Sequence, residues 1–138
     1  DAFKIDVTKV NLPRPQMVFR GVLCNWLVVM AVWISFSSMD VMSKYICCLI
    51  PISGFVTMGF EHSIANMYFI ALGMFIKGGD AATVELAAVA PDKLAALTMG
   101  GYWGNIIPVT LGNMVGGILF VAVLYYMVFS GALDEPKA

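Results

Sequence analysis

Charge is what this chain of 138 residues has least of: 12% of its residues are charged, while 60% are hydrophobic. A soluble globular domain carries roughly 25% charged residues. That shortage, with a mean hydropathy of +0.86, excludes an ordinary soluble domain and implies an integral membrane protein. The net charge of −1 excludes a strongly basic nucleic-acid binder. Histidine is scarcer still, with His62 the single copy. The three cysteines, Cys24, Cys47 and Cys48, all fall inside apolar runs. They lack the paired spacing of a metal site and read as small packing residues. The start of the chain has no initiator Met, no apolar core and no cleavage site. It is therefore no signal peptide, and the chain reads as a piece of a longer protein or as a processed one.

What is present is apolar sequence in long blocks. Residues 1–16 are polar, contain Pro13 and Pro15, and read as a loop leading into a helix. A first span covers about 17–38. A second stretch, 46–76, is long enough to cross a bilayer, which takes about 20 residues, only if its two apolar parts are joined. Pro51, Gly54 and Gly59 weaken helix before its centre. Residues 81–102 hold one or two short interfacial helices, and a last span covers about 103–129. In that span Gly112, Gly116 and Gly117 allow close helix approach. Tyr125 and Tyr126 read as an interfacial anchor, and 130–138 as a polar tail. Three crossings put the ends on opposite sides. The charge balance of the loops leans residues 1–16 outside and the carboxyl end inside.

Glu61 and His62 sit at the middle of the interrupted span, where ionisable groups are costly and usually functional. The imidazole titrates near neutral pH and can attract an anion, supply a proton or gate a pore. Two roles stay open for Glu61. It can pair with His62 or a polar group on another span, or cap the half-helix that follows. Capping is the favoured reading. Asn25, Asn66 and Asn113 place one amide on each crossing, either as interhelical ties or as pore lining. Phe55 stands about two turns before the break. A ring at Phe55 can form a hydrophobic constriction, but on position alone lipid or core packing is the favoured reading, and Lys9 reads as a solvated charge.

Three strings then carry a resemblance: GFEHSIANM at 59–67, LCNWLV at 23–28 and NIIPVTLGNMVGG at 105–117. Their residues, order and spacing resemble the formate/nitrite transporter family. The resemblance implies an all-α integral membrane protein with an aquaporin-like inverted-repeat fold. This chain would be one three-span half, spans four to six, with a broken middle helix. It implies that His62 is the central pore histidine, Glu61 its neighbour, Asn25 a pore-lining amide, and Phe55 and Val28 apolar constriction positions. Lys9 would be a basic residue of the outer vestibule.

The function so implied is passage of small monovalent anions of the formate, nitrite or hydrosulfide class, with His62 assisting protonation or gating: a proton from His62 or relayed from water would neutralise the anion at the constriction. The partners implied are the anion, the missing amino-terminal half, membrane lipid and four further copies in a homopentamer. The setting is a cell inner or plasma membrane, crossed several times. Neither an enzyme activity nor a cofactor is expected. Two rival readings remain at this stage, a neutral-solute channel of aquaporin type and a structural subunit of a membrane enzyme with His62 as a metal or haem ligand.

Overall fold

The computed structural model describes residues 2–79, 84 and 88–133, and these are helical with short connections. Residues 80–83 and 85–87, part of the segment expected to hold short helices, lie outside the described residues, as does 134–138 of the polar tail. The helices are α1 (Ala2–Val10), α2 (Arg14–Ser35), α3 (Val41–Thr57), α4 (Ser63–Gly79), α5 (Pro91–Ala95) and α6 (Met99–Met114). A π-helical stretch, Val115–Val123, continues α6 directly into α7 (Leu124–Leu133). Two helical runs, Arg14–Ser35 and Met99–Ser130, are long and apolar enough to cross a membrane.

The first sixteen residues depart from the expected loop, because Ala2–Val10 is helical. Phe3, Val7 and Val10 recur at helical spacing. Phe3 and Val7 are buried against Ile70 of α4 and Leu97, with Val10 packed beside them. Burying a large apolar side chain contributes about 1.5–3 kcal/mol, more than nine residues would gain from helix propensity alone. Pro13 and Pro15 then stop α1 and open α2, where proline sits in the first turn.

The remaining boundaries follow local chemistry. Asp40 accepts from Ser43 N–H at 2.8 Å and starts α3. Thr98 does the same for Gly101 N–H and starts α6 four residues before the expected Trp103. Pro51 and Pro108 are carried inside their helices.

Packing is set by α2, which lies along α6 and the π-helical stretch on one side and α3 on another. Its buried residues Met17, Gly21, Cys24 and Ala31 form one stripe. Small residues bring the backbones together: a Cβ at Gly112 would collide with the Val18 carbonyl, and one at Gly116 with that of Val22. At one end Trp33 meets Tyr125 at 4.7 Å between ring centroids, with Phe36 and Phe129 around it. α1 packs on α4 and α6, and so reaches the point where α3 and α4 part.

Candidate functional site

Helix α3 ends at Thr57 and α4 begins at Ser63, so the helix is interrupted beside Glu61 and His62. Gly59 makes the turn with φ +67°, a conformation that glycine takes without strain. Backbone groups freed by such a break must find partners. Here they do. Glu61 N–H donates to the Arg20 carbonyl at 3.4 Å, and the Arg20 guanidinium donates to the Gly59 carbonyl at 3.3 Å. The Asn113 amide donates to the Glu61 carbonyl at 2.9 Å and to the Gly21 carbonyl at 2.9 Å. Its Oδ1 accepts from Ser63 N–H at 3.0 Å. One buried amide thus ties α2, the break and the start of α4 to α6.

Glu61 is 2% exposed, and its carboxylate is the hub of a buried network. Lys9 Nζ from the end of α1 lies 3.0 Å from Oε1. Asn66 Nδ2 donates to Oε2 and also to Asn105 Oδ1 at 2.8 Å. Asn105 Nδ2 reaches Oε2 at 3.5 Å and donates to the Lys9 carbonyl at 2.8 Å. This corrects the capping role favoured for Glu61. Its side chain is drawn to the Lys9 ammonium and two amides on other helices, and Asn113 satisfies the first N–H of α4 in its place. The structure also departs from Lys9 as a solvated charge, since its side chain is 13% exposed and paired with Glu61.

His62 points the other way. Its ring is half-buried and stacks on Phe55, with centroids 5.8 Å apart and planes at 23°. Its Nδ1 accepts from Ala65 N–H at 3.3 Å, so His62 itself caps α4. Accepting that bond requires a lone pair on Nδ1, which places the proton of the neutral ring on Nε2. Asn25, half-buried on α2, donates to the Asn113 backbone carbonyl at 2.7 Å. Val28 is half-buried one turn further along α2.

The candidates therefore fall into two groups. Lys9, Glu61, Asn66 and Asn113 are joined in hydrogen-bonded ties, while His62 and Phe55 form a separate ring pair. Asn25 links to Asn113 from α2. Sequence reasoning missed Asn105, which is fully buried in the Glu61 network. Its signal was available: Asn105 and Asn113 are two amides a little over two turns apart on one apolar helix. Arg20 and Asp6 carried no sequence signal beyond their charge. No group of residues able to hold a metal ion occurs among the described residues.

Two helices long and apolar enough to cross a membrane, packed around a polar, hydrogen-bonded helix break, fit a helical membrane protein. Comparison with known proteins gives the family. The sequence profile of the formate/nitrite transporter family matches residues 1–127, and the chain belongs to that family. It is 41% identical over 124 residues to a Methanothermobacter thermautotrophicus protein named "Probable formate transporter", covering 89% of this chain and 38% of that protein. It is 39% identical over 125 residues to the formate channel FocA of Escherichia coli K12, covering 88% of this chain and 43% of FocA. A solved pentameric formate channel with formate bound superposes with a TM-score of 0.81 at 34% identity, over 93% of this chain and 51% of that one. A solved ion channel of the same family gives 0.76 at 29% identity, over 92% of this chain and 45% of that one. The chain spans about two fifths of the length of these two sequence relatives.

Proposed function

We propose that this chain is the carboxyl-terminal half of a channel for small monovalent anions of the formate, nitrite or hydrosulfide class. The spans would be about 17–38, the broken 46–76 and 103–129. The missing first three spans would complete an aquaporin-like inverted repeat, and five such units would assemble in a cell inner or plasma membrane. The family membership and the formate-bound pentameric neighbour support this reading.

The observation that carries it is the division of labour at the break. The buried carboxylate is paired away from the surface, while the imidazole is half-exposed beside an aromatic ring. In the proposed pathway the anion meets an apolar constriction formed by Phe55 and Val28, with Asn25 on the same wall. A bare anion is held back there by desolvation. The His62 Nε2–H hydrogen-bonds the anion, a proton relayed from water neutralises it, and the neutral acid crosses. Glu61, Lys9, Asn66 and Asn113 serve the pathway by holding the break in shape.

The test is uptake of formate, nitrite and hydrosulfide into liposomes by the complete protein across pH. His62→Ala should flatten or shift the pH dependence of flux. An unchanged profile would remove His62 from the mechanism.

A further inference from the structure

Lys9 is neutralised by Glu61 at 3.0 Å, so the positive charge that meets an anion near the break must come from elsewhere. Arg20 is placed for it. It sits nearly two turns into α2, half-buried, with no carboxylate within ion-pair distance among the described residues. Among the described residues its guanidinium makes one bond, to the Gly59 carbonyl at 3.3 Å. A guanidinium has five N–H donors in a planar fork, so most of them are left for a ligand. Arg20 also lines a cavity of about 230 Å³ between α1, α2 and the break, together with Lys4, Thr8, Lys9, Gly59 and Glu61. The Lys9 and Glu61 charges cancel, which leaves Lys4 and Arg20 as a net positive pair on the cavity wall. The Glu61 N–H bond to the Arg20 carbonyl fixes this part of α2 against the break.

We propose that Arg20, assisted by Lys4, is an anion-docking site in the cavity beside the helix break. This rests on the anion-channel reading and adds a selectivity to it. A planar guanidinium matches two oxygens on one small centre, as in a carboxylate or nitrite. It offers no such match to hydrosulfide or a halide, which present a single atom. The site therefore favours small two-oxygen anions over single-atom ones. Lys4 supplies charge without a fork, and so attracts both kinds alike.

The test is concentration-dependent uptake by the complete protein in liposomes, comparing Arg20→Gln, Arg20→Lys and Lys4→Gln with the parent. Arg20→Gln should raise the KM for formate and nitrite on the order of tenfold, the size of one charge-assisted contact, with maximal flux changed much less. Arg20→Lys should raise the KM for formate several-fold and leave that for hydrosulfide nearly unchanged. Lys4→Gln, whose side chain has no part in holding the break, should raise both values about equally and weaken the dependence of KM on ionic strength. An unchanged formate KM in Arg20→Gln overturns the docking site. So does an equal loss of maximal flux for every anion in both Arg20 variants, which would make Arg20 a clamp on Gly59 alone. If the parent carries no anion flux, the channel reading itself fails, and the docking site with it. If Arg20→Gln does not assemble, the Arg20→Lys comparison decides.

Discussion

Replacing Lys9 by methionine should destabilise this protein far more than an ordinary lysine substitution. The Glu61 carboxylate is 2% exposed and holds three side-chain donors: Lys9 at 3.0 Å, Asn66, and Asn105 at 3.5 Å. Without the ammonium, a buried negative charge keeps two neutral amides, one of them at the limit of hydrogen bonding. Breaking a buried ion pair from one side costs about 3–5 kcal/mol, because the surviving charge is uncompensated. Glu61→Gln should cost less, about 1–3 kcal/mol, since the stranded Lys9 side chain is more accessible. In the double variant both charges are gone, and the glutamine oxygen can still accept from Asn66. Its cost should stay close to that of Glu61→Gln alone, so the coupling should match the Lys9→Met cost of about 3–5 kcal/mol. Reversible unfolding of the four complete proteins in mixed micelles measures all three quantities. If Lys9→Met costs under about 1 kcal/mol, or if the single costs simply add in the double variant, the carboxylate does not depend on Lys9 as argued.

Three further outcomes follow from the same structure. Gly116→Ala should cost about 1–3 kcal/mol and weaken assembly on gel filtration, because its Cβ would collide with the Val22 carbonyl of α2; an alanine protein of parental stability would contradict the close approach. Asp6 is fully buried on α1 against Gly73, with neither carboxylate oxygen partnered among the described residues. Burial pushes its pKa from 3.8 up to about 6, partly opposed by Lys9. The folded state therefore holds a proton that the unfolded chain releases. That contribution is fully present below pH 3.8 and is lost as pH rises through about 6, an amount of at most about 3 kcal/mol at 1.36 kcal/mol per pH unit. Asp6→Asn should remove this component, so unfolding midpoints of parent and variant should diverge between pH 4 and 7, and parallel curves would count against it. Asn113→Ala should cost at least about 3 kcal/mol, since it deletes three buried hydrogen bonds, whereas His62→Ala should cost about 1 kcal/mol or less for its one long capping bond; equal costs would show that the break is not held from α6.

The interruption was legible in the sequence because a charged pair between two apolar runs has few other readings in a membrane protein. Proline was the weaker guide. Pro51 and Pro108 stay inside helices, and the chain turns at Gly59, where a positive φ is required. The helix at Ala2–Val10 was hidden by its polar composition: its apolar face is the narrow set Phe3, Val7 and Val10, and it gains meaning only from Ile70 and Leu97, more than sixty residues away. The partners of Glu61 were hidden for the same reason. Spacing places Asn66 within a turn of His62, but nothing local says that Lys9, 52 residues earlier, closes on the same carboxylate. Asn105 was visible as half of an amide pair and went unread because each asparagine was weighed alone.

The arrangement at the break explains why two adjacent ionisable residues need not share one task. Non-helical backbone at membrane depth is tolerated only when its polar groups are met. Here the demand is met from outside the break, by Arg20 of α2 and Asn113 of α6. Glu61 adds an ion pair to α1 and amide bonds to α4 and α6. None of these links uses the imidazole except its own Nδ1 cap to Ala65. His62 Nε2 is thereby left unengaged among the described residues, on a frame fixed by four helices. A reacting group performs best when its supports are rigid and its own reactive atom is free. The buried glutamate and the half-buried histidine match the two sides of that requirement: the carboxylate is engaged in the frame, and the imidazole Nε2 that the proposed function uses is not.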